Sequence, residues 1–183
     1  MSTRDYLTVI EHLPEGATLV LQQFSWDDYE RLLDRLRKRR HLRVSYDSGR
    51  IEVMSPLPKH EKYARFIDQL VRVFADHLDV ELESYGSTTW KRRALDQGIE
   101  ADSCYYVAGA ASVIGKDSID LECDPPPDIA VEVDITNESL SKFGIYAAYA
   151  SRKSGDTTKR GFDSMHSCGL HIERLTRAVS CLG

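Results

Sequence analysis

An α/β or α+β domain built on a mixed β-sheet is the fold class this sequence predicts. The order of elements along the 183 residues runs helix, hairpin, helix, several strands, helix, with no internal repeat. The segment from about Pro58 to Leu78 carries an apolar stripe at helical spacing and is the longest periodic element. The segment "DIAVEVDIT" (128–136) is nearly continuous in Ile, Val and Ala, the pattern of a buried central strand, yet it also holds Asp128, Glu132 and Asp134.

Taken in order, "FSWDDYERLLDRLRKRR" opens on Ser25 with Asp28 three residues later, a capping-box start. Trp26, Tyr29, Leu32, Leu33 and Leu36 then recur at helical spacing. "LRVSYDSGRIEVM" alternates apolar and polar residues around Asp47-Ser48-Gly49, which predicts a hairpin. In the long helix, Tyr63, Phe66, Ile67, Leu70, Phe74 and Leu78 form the expected inward stripe. "VELESYGSTTWKRR" and "IEADSCYYV" read as strands before the central one. "NESLSKFGIYAAYA" then starts a helix capped by Asn137 or Ser139, with Leu140, Phe143 and Tyr146 inward. The body is expected to be one domain over residues 1–148. Residues 149–183 read as an atypical tail, disordered or the product of a frameshift, with "LHIERLTRAV" as their only helical hint.

Composition excludes several classes. A hydrophobic fraction of 42% and a charged fraction of 29% describe a globular chain, and no stretch approaches the ~20 apolar residues of a membrane span. The N-terminus shows no basic region followed by an apolar run, so the cytoplasm is the expected compartment. The four cysteines lack C-x-x-C spacing and read as reduced bystanders. Net charge is −5 but uneven: residues 1–148 carry 18 Lys/Arg against 26 Asp/Glu, and residues 149–183 carry 6 against 3. The run Arg35, Arg37, Lys38, Arg39, Arg40 and Arg43 reads first as a solvated helix end, and second as a phosphate-contacting patch.

The acids of the central strand demand a reason, because buried carboxylates need a proton, a cation or a metal. Residues i and i+2 of a strand share a face, so Asp128, Ala130, Glu132 and Asp134 lie on one side and Ile129, Val131, Val133 and Ile135 on the other. Asp102, in "EADSCYYV", is placed to converge with Glu132 from a neighbouring strand. Two carboxylates held close favour a divalent cation between them, and an oxygen-rich site suits Mg²⁺ or Mn²⁺. Lys142 is the candidate to orient water or stabilise developing negative charge. The alternative is a wet sheet face whose acids are solvated or paired to Arg92 and Arg93.

The pieces "SGRIEVMSPLPKHEKYARFIDQLVRVF", "EADSCYYV" and "PPPDIAVEVDITNESLSKFGIYAA", in that order, resemble the Uma2 family of restriction-endonuclease-like proteins, within the PD-(D/E)XK nuclease superfamily. The resemblance spans about residues 25–148. It implies a restriction-endonuclease-like mixed sheet flanked by helices, with a metal-binding acid at Asp102 and a second at Glu132. The superfamily's usual lysine stands two residues after that second acid, where this chain has Asp134. In Uma2-like proteins the lysine sits on the following helix, which matches Lys142. His60 and Glu61 fall where related nucleases carry an additional polar group, although a solvated helix start explains them as well. Asp128 reads as a structural cap or an auxiliary group, Glu52 as a surface strand residue that could face the cleft, and Tyr146 as core. After "GIYAA" the family continues with a strand bearing Trp or Tyr and then another, whereas this chain goes to "YASRKSGDTTKRGFDSMHSCG". A missing strand would leave a sheet edge unpaired.

The resemblance therefore implies a metal-dependent endonuclease hydrolysing DNA phosphodiester bonds. Mg²⁺ or Mn²⁺ is its expected cofactor, DNA its substrate, and a homodimer an expected assembly. The basic run and Lys91, Arg92 and Arg93 are candidates for phosphate contact. The competing expectations are an inactive or truncated nuclease-fold protein acting as a binding module, and a structural domain whose acids are only solvated.

Overall fold

A computed structural model describes the backbone of residues 3–37, 41–133, 142–151, 163–167 and 170–174. The architecture is α+β, with two five-stranded sheets and helices packed on their faces. Every pairing among the described strands is antiparallel.

The first sheet has the order β1 (Thr18–Leu21), β3 (Arg50–Met54), β2 (Arg43–Asp47), β6 (Gln97–Glu100), β5 (Thr89–Arg92). Its hairpin β2–β3 turns at Ser48 and Gly49, both at positive φ (47° and 92°), the geometry of a two-residue turn that a glycine relieves. Helices α1 (Thr3–Glu11) and α2 (Trp26–Leu36) cover one face, with Ile10, Trp26, Tyr29, Leu32, Val44, Tyr46, Ile51 and Val53 as the core. The predicted capping box of α2 is present: Ser25 Oγ accepts the Asp28 N–H, and Asp28 accepts the Ser25 N–H. Gly98 of β6 is required by Tyr29, whose hydroxyl would lie 2.3 Å from a Cβ there.

The second sheet has the order β4 (Glu83–Ser84), β7 (Ser103–Tyr106), β8 (Ile129–Val133), β10 (Leu170–Arg174), β9 (Asp163–Ser167). Helix α3 (Pro58–His77) packs on one face against Tyr105, Val131 and Val133. Helix α5 (Phe143–Ser151) packs on the other, where Ile145, Tyr146 and Tyr149 meet Cys104 and Ala130 of this sheet and Trp90 and Ile99 of the first. The alternation read from the central strand is thus realised: Val131 and Val133 face α3, while Ala130 and Glu132 face α5. The short α4 (Ala110–Val113) lies in the long connection between β7 and β8.

Several expectations change. "IEADSCYYV" is two strands in two sheets, divided at Ala101–Asp102. "VELESYGSTTWKRR" is likewise divided, around Gly86 at φ 56°. The large apolar residues of α3 are not inward: of the predicted stripe only Ile67 is buried, and Tyr63, Phe66, Leu70, Phe74 and Leu78 are exposed. The helix lies on the sheet through Ala64, Ile67, Val71 and Ala75, because small residues allow a close approach and the large ones fall to the side of that contact. In 149–183, where sequence reading placed no strand, β10 pairs with β8 and β9 pairs with β10, so the edge of β8 is covered. The helical hint at Leu170–Arg174 is a strand: Leu170 and Ile172 also fit a period of two, and an open sheet edge decides between the periods. The expectation of a disordered or frameshifted tail falls, for the rest of that stretch, outside the described residues, as do the caps Asn137 and Ser139.

Candidate active site

The junction between the two sheets builds the site. The chain leaves β6 at Glu100 and enters β7 at Ser103, so Asp102 sits where it crosses from one sheet to the other. The register Ser103↔Val131 puts Asp102 opposite Glu132, and the Asp102 N–H donates to the Val131 carbonyl at 3.1 Å. Asp102 Oδ2 accepts the Val133 N–H at 2.8 Å, which fixes the carboxylate. Both acids are buried, Glu132 at 1% exposure.

Two cationic side chains answer these acids. Lys142, just before α5, places Nζ 2.7 Å from Glu132 Oε2, and the Tyr146 hydroxyl donates to Glu132 Oε1. Burial pushes the Glu132 carboxyl up from the usual range, Lys142 pulls it down, and the nearby Asp102 charge adds to the rise. Burial works against the Lys142 ammonium, but Glu132, Asp102 and Glu52 outweigh it and hold the lysine protonated, above its ordinary value. Arg43 of β2, also buried, reaches Glu61 at 2.9 Å, Glu100 at 3.3 Å and Asp102 at 3.6 Å. Burial raises Glu100, with Ser87 and Arg43 opposing. Glu52 binds Arg50 at 2.7 Å and, with Arg43, Ser45, Glu100 and Lys142, lines a narrow recess.

The structure therefore brings Asp102, Glu132 and Lys142 together and joins Glu61 to them through Arg43. Glu52 faces this recess rather than open solvent. It does not bring in Asp128, whose Oδ2 accepts the N–H groups of Val107 and Gly109 at 2.8 and 3.0 Å, tying a turn at the far end of β7. His60 is buried on α3, and its Nδ1 has no hydrogen-bond partner among the described residues. Asp134 lies outside the described residues. Lys91 and Arg93 pair with Glu30 and Asp27 of α2, and Arg92 donates to the Leu121 carbonyl, so all three are engaged within the chain.

Sequence reasoning missed Arg43 and Glu100. In the sequence Arg43 reads as part of the helix-end basic run, whose members Arg35 and Arg37 are exposed, while Lys38–Arg40 lie outside the described residues. The signal was strand alternation: Val44 and Tyr46 face the core, so Arg43 and Ser45 face the other way, toward Glu52. The same rule pairs Glu100 with Asp102.

The donor set fits a hard divalent cation. Five carboxylates (Glu52, Glu61, Glu100, Asp102, Glu132) surround three cationic groups (Arg43, Arg50, Lys142), which leaves negative charge in excess. Among the described residues no three His, Cys, Asp or Glu form a ready metal cage. Such a site would hold an ion through one or two carboxylates, with water and substrate oxygens completing the shell, the habit of Mg²⁺.

The family model Uma2, described as putative restriction endonuclease, matches residues 26–153. No curated protein and no solved structure matches the chain.

Proposed function

The chain belongs to the Uma2 family, and from that premise and the geometry of its acids we propose that it is a metal-dependent endonuclease hydrolysing DNA phosphodiester bonds. The observation that carries the reading is Asp102 set opposite Glu132 across β7 and β8, with Lys142 at 2.7 Å from the second acid. Asp102 and Glu132 would hold Mg²⁺ or Mn²⁺, which when bound supplies an activated water and a Lewis acid at the phosphate. The peptide N–H of Val133 keeps Asp102 in one orientation. Tyr146 does the same for Glu132. Lys142 is held protonated, so its part is a donor toward charge developing on the phosphoryl oxygens and not a general base. Arg43 keeps Glu61 and Glu100 beside Asp102. No helix among the described residues is long and apolar enough to cross a membrane; the compartment we assign is the cytoplasm, where DNA is available.

One observation favours a second reading, an inactive nuclease-fold protein: both oxygens of Glu132 are already taken, by Lys142 and Tyr146. A cleavage assay on plasmid and single-stranded DNA separates the two. Wild type and Glu132→Ala are compared with Mn²⁺, Mg²⁺ or EDTA. The nuclease reading expects nicking by wild type with metal only, reduced at least about a hundredfold in Glu132→Ala. Absence of cleavage by folded wild type favours the inactive reading, and equal cleavage by both proteins removes Glu132 from the mechanism.

A further inference from the structure

The side of α3 that the sheet does not use is an apolar surface. Tyr63, Phe66, Leu70, Val73, Phe74 and Leu78 are each 41–65% exposed along one side of this 20-residue helix. The surface they present is roughly 600 Å², at the upper limit for a monomer and near the ~800 Å² per partner of a standard interface once flanking polar groups are added.

Charge says what covers it. The first turns of α3 expose Lys59, Lys62 and Arg65, and its last turn and the residues after it expose Asp76, Asp79 and Glu81. None of these six forms an ion pair with another described residue. Glu61 is committed to Arg43, and Asp68 to Arg72 at 2.8 Å, so neither alters this polarity. The helix is thus basic at one end and acidic at the other, with aromatic and aliphatic residues between. A helix of this kind is complementary to itself when turned end for end. A parallel copy would set like charges together.

We propose that this face of α3 is the interface of a homodimer in which two copies of the helix pack antiparallel about a two-fold axis near Leu70. In that register Phe66 of one copy meets Phe74 of the other, and Lys62 near the helix start lies toward Asp76 in the last turn of the other. Arrangement about the two-fold makes each contact occur twice, so a few pairs suffice to fix the register. The helix start carrying Glu61 is then braced in each copy, and the two candidate sites lie at opposite ends of the pair, roughly 25–30 Å apart along the helix axis at 1.5 Å per residue. The inference does not depend on the chemistry of the site.

Sedimentation equilibrium of the full chain tests it. Wild type is expected to be dimeric at micromolar concentration and Phe74→Asp monomeric. Lys62→Glu, at an exposed position, is expected to weaken the dimer about tenfold, and Lys62→Glu with Asp76→Lys to restore it. Should Phe74→Asp fail to fold, the charge pair alone decides. A monomeric wild type overturns the proposal. So does a dimer indifferent to these substitutions, or a double reversal that fails to restore what the single one lost.

Discussion

Lys142 and Arg43 are both buried cations among acids, yet they are held in opposite ways. Lys142 is sealed: its close partner among the described residues, Glu132, is 2% exposed at the side chain, and a tyrosine closes the other oxygen. Arg43 is shared among three acids, of which Glu61 is 53% exposed and Glu100 16%. A sealed pair must balance its own charge, because a lone buried ion costs several kcal/mol. A shared arginine at an open edge need not, since solvent and entering ions complete the balance. The chain thus keeps an oriented, neutral unit beside a recess with surplus negative charge, and the surplus is what a divalent cation would neutralise.

The largest expected effect tests the sealed pair. Lys142→Met leaves Glu132 buried without its ammonium and should cost about 3–5 kcal/mol of stability in urea unfolding. Adding Glu132→Leu should recover most of that loss, because an apolar pair of similar volume replaces a buried ion pair at little cost. A single variant as stable as wild type would mean that the pair is not sealed and would erase the contrast.

Arg43→Met comes next. Its acids can draw water, so the loss should be smaller, about 2 kcal/mol. Removing the guanidinium enlarges the surplus of carboxylates, so Mn²⁺ should raise the Tm of this variant by more than it raises that of wild type. Equal shifts in the two proteins would place any bound ion away from these acids.

How much of this was legible in the sequence follows from the range of each signal. Glu132 and Asp102 were readable because acids in an apolar strand violate a local rule, and such violations mark functional places. Lys142 was reached through the chemistry those acids require. Arg43 was hidden because it stands three residues after the basic run that ends at Arg40, and its role rests on contacts with Glu100 and Asp102, far along the chain. The two-sheet division was hidden for a related reason: nothing at Ala101–Asp102 breaks the alternation, and the sheet change is set by long-range pairing. On α3 the period was right and the face was wrong. Hydrophobic spacing locates a stripe, but it does not say whether a sheet or a second chain covers it.

The smallest effect probes what closes the sealed pair. Tyr146→Phe removes the hydroxyl that donates to Glu132 and should cost about 1–2 kcal/mol near neutrality, as for a bond to a charged group. Its pH dependence has a definite sign. The folded-state ionisation of Glu132 lies above its unfolded value, so this group's contribution to stability is complete below the unfolded pKa and is lost as pH rises through the folded one. Tyr146 and Lys142 both pull that ionisation down, so loss of the hydroxyl raises it further and extends the loss with rising pH. The penalty of Tyr146→Phe should therefore be smaller at about pH 3, below the ordinary glutamate range, than at about pH 8. Urea unfolding of wild type and variant at those two pH values measures it. A penalty that is constant with pH would mean that Tyr146 supports packing against Trp90 rather than the charge on Glu132. The closure of the pair would then rest on Lys142 alone.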